Sequence, residues 1–248
     1  MRLFENIGRF VFGSECLACG RASDYLDPWL CPDCVKELEV LSKELLYPGA
    51  DVYSLFPMRP ITQKLIHALK YKGIYGMATY LVQHSSAKKS GLMGGEFELL
   101  PKPLYWVPVP LHRARLRERG YNQAEKIASA LAVVTGGRVC KWLRRKSFIV
   151  SQTKLSKEER ERNVANAFEC LVPKEIPERG TIMIVDDVYT TGATTGACIE
   201  AFEREMQRKN FRGTGPLLKV CTLLYDEPIS AVADYAADCQ MEWNYDNS

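Results

Sequence analysis

Long apolar runs are absent from this chain of 248 residues. No stretch approaches the roughly eighteen consecutive apolar residues of a membrane-spanning helix, so the sequence predicts no insertion into a membrane. The sequence also predicts no secretory signal peptide, because the first residues carry acidic Glu5 and are typical of a short helix with Leu3, Phe4 and Ile7 on one face. We expect that helix to dock onto the rest of a cytoplasmic protein.

Net charge is small, at +3, but it is unevenly distributed. Residues 102–162 contain fifteen Lys/Arg against five Asp/Glu, whereas no basic residue follows Lys219. A basic middle segment favours a polyanionic ligand such as pyrophosphate or nucleic acid. The acidic carboxyl-terminal tail, 231–248, is weakly patterned and predicts no specific role.

Four of the nine cysteines are clustered near the amino terminus. Cys16 and Cys19 form one C-x-x-C pair, and Cys31 and Cys34 form a second. Two such pairs can surround one tetrahedral Zn²⁺ with no open coordination position, so we predict structural zinc, with a redox site as the alternative. Structural stapling is favoured over nucleic-acid reading, although Tyr25 or Trp29 would suit base stacking if exposed. The odd cysteine count favours a reducing compartment.

The most informative segment is IVDDVYTTGATTG at 184–196. The apolar run 181–185 predicts a buried strand, and apolar residues from Cys198 onward recur at helical spacing. Asp186 and Asp187 therefore lie at the end of a strand, and a Thr/Gly-rich loop opens a helix. Free N–H groups at a helix start suit a phosphate, whereas carboxylates suit sugar hydroxyls or a Mg²⁺ that also holds a phosphate. The segment predicts a ligand with both a sugar and a phosphate. No Walker loop, G-x-x-x-x-G-K-[ST], occurs in the chain.

A second anion site is predicted after the strand at 104–109. Four arginines within seven residues follow that strand, in what reads as a basic loop before a helix that starts near Asn122. Arginine clusters of this kind favour phosphate. The cluster consists of Arg113, Arg115, Arg117 and Arg119.

A third basic stretch begins with Arg144, Arg145 and Lys146 and continues into a segment charged on all sides. Two interpretations stay open for its later part: a mobile lid that closes over a ligand, or a solvated loop. The residues that would face the ligand from a lid are Gln152, Lys154, Arg160 and Arg162.

Several motifs occur in a fixed order along nearly the whole chain. They are the paired cysteines, Leu-Lys-Tyr-Lys-Gly at 69–73, Val-Pro-Val-Pro-Leu-His at 107–112, Arg-Gly-Tyr-Asn-Gln-Ala at 119–124, Gln152 with Arg-Asn-Val at 162–164, and Val-Asp-Asp-Val-Tyr-Thr-Thr-Gly-Ala-Thr at 185–194. This order resembles the ComF family, phosphoribosyltransferase-like proteins linked to DNA uptake and natural competence in bacteria. The chain lacks an amino-terminal nucleophilic cysteine, so glutamine amidotransfer, which the family's usual label suggests, is not carried over.

The resemblance implies a binding site for phosphoribosyl pyrophosphate (PRPP), or another ribose 5-phosphate ligand, together with Mg²⁺. Asp186 and Asp187 would lie beside the ribose hydroxyls, and Arg113 would neutralise the departing pyrophosphate. The 5′-phosphate segment would comprise Val188, Tyr189, Thr190, Thr191, Gly192, Ala193 and Thr194, and the pyrophosphate loop would comprise Pro110, Leu111, His112 and Arg113. The candidates for single-stranded DNA are Arg115, Arg117, Arg119, Arg144, Arg145 and Lys146. A competence helicase is a candidate partner.

The predicted fold class is α/β, like a type I phosphoribosyltransferase, with a mainly parallel sheet flanked by helices. A small zinc-ribbon-like element precedes it. The predicted organisation is 1–48 for the amino-terminal helix, cysteine knuckle and following helix, 49–230 for the main domain, and 231–248 for the tail. Three functions stay open: a PRPP-dependent pentosyl transferase, a nucleic-acid binding module without turnover, and a PRPP-sensing regulator.

Overall fold

The computed structural model describes residues 15–42, 46–49, 51–85, 97, 99–146, 167–171, 179–209 and 215–226. Three predictions lie outside these residues: the amino-terminal helix, the tail 231–248, and the lid with Gln152, Lys154, Arg160 and Arg162. Within the described part of the chain, every helix is too short or too polar to cross a bilayer.

Helices and short strands make up most of the described part of the chain. The helices are α1 (Pro32–Leu41), α2 (Pro60–Tyr71), α3 (Gly76–His84), α4 (Arg113–Arg119), α5 (Gln123–Thr135) and α6 (Ala193–Arg208). The strands are β1 (Leu46–Gly49), β2 (Val52–Pro57), β3 (Leu104–Pro108), β4 (Arg138–Val139), β5 (Leu143–Arg145), β6 (Phe168–Cys170), β7 (Thr181–Tyr189) and β8 (Leu217–Tyr225).

The main sheet has six strands in the order β1-β2-β8-β7-β3-β4. Strand β1 pairs antiparallel with β2, and all other neighbours are parallel. Strands β5 and β6 form a separate antiparallel pair. The predicted fold class is therefore confirmed: a mainly parallel sheet flanked by helices, with a small cysteine-bearing element before it.

Strand β7 is buried on both sides over its first half, which explains the apolar run at 182–185. The predicted strand ended at 185, whereas β7 continues to Tyr189, so the acidic pair lies within the strand. Its side chains alternate between the two faces of the sheet. Met183 and Val185 belong to the core formed with α2, α3, α5 and the cysteine knuckle. Ile182 and Ile184 belong to the core formed with α6 and the β5–β6 pair. Since β7 also lies between β3 and β8, its carboxyl end is the centre of the sheet edge where parallel strands finish.

The basic segment after β3 differs from its prediction. A loop was expected, but α4 spans Arg113–Arg119, so that prediction was wrong. The His112 ring nitrogen Nδ1 accepts a hydrogen bond from the Ala114 N–H (3.3 Å), and Gly120, with φ of 76°, ends the helix. Alanine, leucine, glutamate and arginine are good helix formers, and they outweigh the repulsion between the arginines. The helix expected near Asn122 is confirmed, because Asn122 is the N-cap of α5.

Candidate functional site

The four clustered cysteines converge on one point. Their Sγ atoms all lie within 4.8 Å of one another, and Sγ of Cys19 is 3.8 Å from Sγ of Cys31. Tetrahedral zinc with Zn–S bonds of about 2.3 Å requires sulfurs roughly 3.8 Å apart, so this arrangement fits the predicted metal. Cys16, Cys19, Cys31 and Cys34 would hold the ion and leave no position open for a substrate.

The cysteine knuckle is packed against the main domain. Leu30 is fully buried in the shared core, and the Lys64 ammonium donates a hydrogen bond to the Ala18 carbonyl. Trp29 packs edge-on against Tyr80 with ring centroids 5.4 Å apart, which leaves the indole half-buried. These contacts agree with the predicted stapling role.

The two predicted carboxylates occupy opposite faces of β7. Asp187 lies on the same face of the sheet as Met183 and Val185. On that face, Nζ of Lys70 lies 3.1 Å from Oδ2 of Asp187. The side chain of Asp187 is 9% exposed and that of Lys70 is 21% exposed. The pair is within ion-pair distance, but no well-aligned hydrogen bond reaches Oδ2 within the described residues. Oδ2 of Asp187 is therefore a buried acceptor with capacity for a further donor.

Asp186 faces the side of α6. Its Oδ1 accepts a hydrogen bond from the Asp187 N–H (2.8 Å). Burial is the main cause that raises the pKa of Asp186 to about 7, and the negative charge of Asp187 is the second. The hydrogen bond from the Asp187 N–H and the positive charges of Lys70 and Arg145 act in the opposite direction. A carboxyl group with this pKa favours a ligand that brings hydroxyl donors or positive charge.

Arg145 comes from β5 and lies beside Asp186. Its guanidinium stacks over the Phe168 ring, 5.3 Å from the centroid. The pKa of Arg145 is lowered, mainly by burial and secondly by the positive charge of Arg115. Cys198 and Asp186 act in the opposite direction. Arg115 and Arg145 are therefore close enough to repel each other, which an anion between them would relieve. Both arginines were predicted to bind nucleic acid, and the electrostatic interaction of Arg145 with Asp186 was not predicted.

The Thr/Gly-rich segment makes a tight passage from β7 into α6. Gly192 has φ of 75°, and a Cβ at this position would lie 2.5 Å from Oη of Tyr189. Thr191 Oγ1 accepts a weak hydrogen bond from the Ala193 N–H (3.4 Å), and Gly192 has no side chain to cap the helix. Thr190, Thr191 and Ala193 are exposed. The start of α6 therefore presents backbone N–H groups and hydroxyls to a ligand.

The predicted pyrophosphate loop lies beside this segment. The Val109 N–H donates to the Val185 carbonyl (2.9 Å), and Nδ2 of Asn122 donates to the Val109 carbonyl (2.9 Å). These bonds fix the start of the loop beside Val185, the residue before the acidic pair of β7. The loop consists of Pro110 and Leu111, which are half-buried, and His112 and Arg113, which are exposed.

The remaining basic candidates are divided between two places. Arg115 and Arg117 are exposed on α4, whereas Arg119 at its end donates to Oη of Tyr71 (3.1 Å). Arg144 pairs with Glu169 across the β5–β6 ladder, and Lys146 is exposed just after β5. Charge density alone grouped these residues, whereas the structure places them on two elements, α4 and the β5–β6 pair.

Lys70 is the site residue that sequence analysis did not assign. It lies in the last turn of α2, where a lysine is also explained by the helix dipole. The Lys70 ammonium reaches Asp187 only because α2 packs against the sheet near the acidic pair. The Leu-Lys-Tyr-Lys-Gly motif was the available signal.

Three curated proteins are similar to this chain. It is 34% identical over 152 residues to DNA utilization protein YhgH of Salmonella typhi, covering 59% of this chain and 63% of that protein. It is 37% identical over 98 residues to competence protein F of Haemophilus influenzae, covering 36% and 39% respectively. It is 28% identical over 188 residues to competence protein ComFC of Bacillus subtilis, covering 74% and 69%. The matches thus span less than two thirds of the length of the first two relatives.

Similarity outside these relatives is weak. No family model matches the chain. The solved structure of an allosteric regulatory enzyme of purine biosynthesis overlaps 75% of this chain and 30% of its own, with 15% identity and a TM-score of 0.31. That similarity is too low to support a conclusion.

Proposed function

Because the chain belongs to the ComF family, we propose that it binds PRPP, or a closely related ribose 5-phosphate ester, at the carboxyl ends of β7 and β3. The observation that carries this proposal is the pair of carboxylates on β7 together with the start of α6, where the N-cap residue Gly192 offers no side chain to the helix N–H groups. A ligand that spans both features needs hydroxyl groups at one end and a phosphate at the other.

The ribose would lie against the carboxylates. No well-aligned donor from the described part of the chain reaches the buried Oδ2 of Asp187, and a ribose hydroxyl supplies one. Asp186, with its raised pKa, gains from a hydroxyl donor or a nearby cation. Both carboxylates are hard oxygen ligands, so they would also help to hold Mg²⁺, which would supply charge neutralisation for the pyrophosphate.

The two anionic ends of the ligand, the 5′-phosphate and the pyrophosphate, would lie on either side of the ribose. The 5′-phosphate would accept hydrogen bonds from the start of α6 and from Thr190, Thr191 and Thr194. The pyrophosphate would lie near the loop that ends at Arg113, within reach of the Arg115 and Arg145 charges. These cations would assist the breaking of the bond between C1 of the ribose and pyrophosphate, and a nucleophilic acceptor would form the new bond at C1, so pentosyl transfer is the proposed chemistry.

Calorimetric titration with Mg²⁺ and PRPP tests this proposal. Replacing Asp187 with asparagine removes one charged acceptor and should weaken binding by about tenfold or more, since hydrogen bonds to charged groups contribute roughly 1.5–3 kcal/mol. Glu203→Gln, an exposed change on α6, is the matched control and should bind like the wild type. Equal affinities for wild type and Asp187→Asn would overturn the assignment.

A second candidate function is binding of single-stranded DNA in the cytoplasm during DNA uptake. It is supported by the exposed arginines of α4 and by the names of the three relatives. Binding that rests on phosphate contacts should weaken steeply as salt rises. A flat salt dependence, or no binding at low salt, would exclude this function.

A further inference from the structure

Two exposed tyrosines follow one another at the end of α2 and the start of α3. Tyr71 is 56% exposed and Tyr75 is 59% exposed. Each ring carries a cation: Cζ of Arg119 lies 4.9 Å from the Tyr71 centroid, and Nζ of Lys126 lies 5.4 Å from the Tyr75 centroid. We call these four residues the tyrosine–cation surface.

The tyrosine–cation surface is held together by the neighbouring elements. The Tyr121 hydroxyl donates to the Leu69 carbonyl in the last turn of α2, and the Tyr121 ring packs edge-on against Tyr75, with centroids 5.6 Å apart. His67 lies one turn before Tyr71, with ring centroids 4.8 Å apart. The exposed rings therefore project from fixed backbone, so they lose little conformational entropy when they bind a ligand.

Three elements build this surface, because Tyr71 belongs to α2, Arg119 to α4 and Lys126 to α5. It continues into more positive charge, since the exposed Lys72 follows Tyr71 directly. Each cation–aromatic pair offers a flat face for a base and a charge for the neighbouring phosphate. Exposed rings interleaved with cations over several helices fit a flexible polyanion with accessible bases.

We propose that the tyrosine–cation surface is the base-stacking site for single-stranded DNA. This inference rests on the second proposed function and assigns it to residues outside the ribose-phosphate site. Bases would stack on Tyr71 and Tyr75, and Arg119 and Lys126 would contact the flanking phosphates. A duplex hides its base faces, so it should bind this surface more weakly than a single strand.

Fluorescence anisotropy with a labelled oligothymidine of about twenty nucleotides tests the proposal in the full-length protein. The Tyr71→Ala/Tyr75→Ala variant should bind at least about tenfold more weakly than the wild type, the scale expected for loss of stacking. The Tyr71→Phe/Tyr75→Phe variant keeps both rings and should stay within about threefold of the wild type. Tyr25→Ala removes a tyrosine that is 79% exposed on the cysteine knuckle and should have no effect.

The contribution of the two cations to DNA binding is tested with separate variants. Arg119→Gln/Lys126→Gln should lower the salt dependence of binding, by roughly 0.7 in the log–log slope for each lost phosphate contact. Lys36→Gln, an exposed lysine on α1, is the charge-matched control and should leave the slope unchanged. Thermal unfolding of each variant shows whether the protein is still folded at the assay temperature.

The outcomes separate the site from the function. If the wild type binds single strands but the alanine pair binds equally well, or Tyr25→Ala is equally weak, the assigned surface is wrong while nucleic-acid binding stands. If the phenylalanine pair is as weak as the alanine pair, stacking is wrong. If the wild type binds no single strand at low salt, both fail, whereas PRPP calorimetry remains an independent test of the first function.

Discussion

The ammonium nitrogen of Lys70 lies 3.1 Å from Oδ2 of Asp187, which joins the last turn of α2 to the carboxyl end of β7. This contact brings a cation from one face of the sheet to one carboxylate, while Arg145 approaches the adjacent Asp186 from the other face. The acidic pair is thus held between positive charges that a ribose-phosphate ligand would share.

Loss of Lys70 should destabilise the fold. Lys70→Met leaves the buried Asp187 carboxylate without its counter-ion, and we expect a loss of about 2 kcal/mol, below the cost for a fully buried pair because Lys70 is partly exposed. Urea denaturation measures it, with Lys72→Met at the exposed neighbouring lysine as the control. In a double-mutant cycle with Asp187→Asn, independent effects of the two changes would argue against the pair.

The raised pKa of Asp186 predicts a pH-dependent stability. In the unfolded chain the Asp186 carboxyl group loses its proton near pH 3.9, whereas in the folded protein it keeps the proton to about pH 7. The free energy of unfolding therefore falls as the pH rises between these two values. Asp186→Asn removes this loss and should be more stable than the wild type by about 1–3 kcal/mol at pH 8, with a smaller difference at pH 5. Urea denaturation at both pH values checks this, and a pH-independent difference would contradict it.

Two glycines four residues apart should respond in opposite ways to alanine. Gly192→Ala places a Cβ against Tyr189 at a positive φ, so we expect a loss of about 1–2 kcal/mol and weaker PRPP binding. Gly196 lies inside α6, and no atom of the described residues lies within 4 Å of its added Cβ, so Gly196→Ala should stabilise by about 0.5–1 kcal/mol. Thermal unfolding of both variants tests this; equal effects would show that the turn does not require Gly192.

Zinc should contribute stability without affecting the sugar-phosphate site directly. Cys31→Ser should lose the bound metal in elemental analysis and lower the Tm by about 10 °C, because the knuckle shares its core with α2 and α3. Cys140→Ser, at a half-buried cysteine outside the cluster, is the control. Retention of stoichiometric zinc by Cys31→Ser would contradict the ligand assignment.

The sequence was most predictive where local signals agreed. The apolar run of β7, the acidic pair that follows this run and Gly192 lie within twelve residues, so strand, turn and helix could be inferred together. Helix α4 was missed because it buries no apolar face, although its residues favour helix. The electrostatic interactions of Arg145 and Lys70 with the acidic pair depend on elements distant in the sequence, and no periodicity in the chain encodes them.

The central claim is that one ribose 5-phosphate unit spans the acidic pair of β7 and the start of α6. A crystal structure with Mg²⁺ and PRPP tests it most directly. The account predicts the 5′-phosphate within hydrogen-bond distance of the N–H groups at the start of α6, and ribose hydroxyls against Asp186 and Asp187. A ligand bound elsewhere, or no ligand at concentrations that saturate the protein in solution, would contradict it.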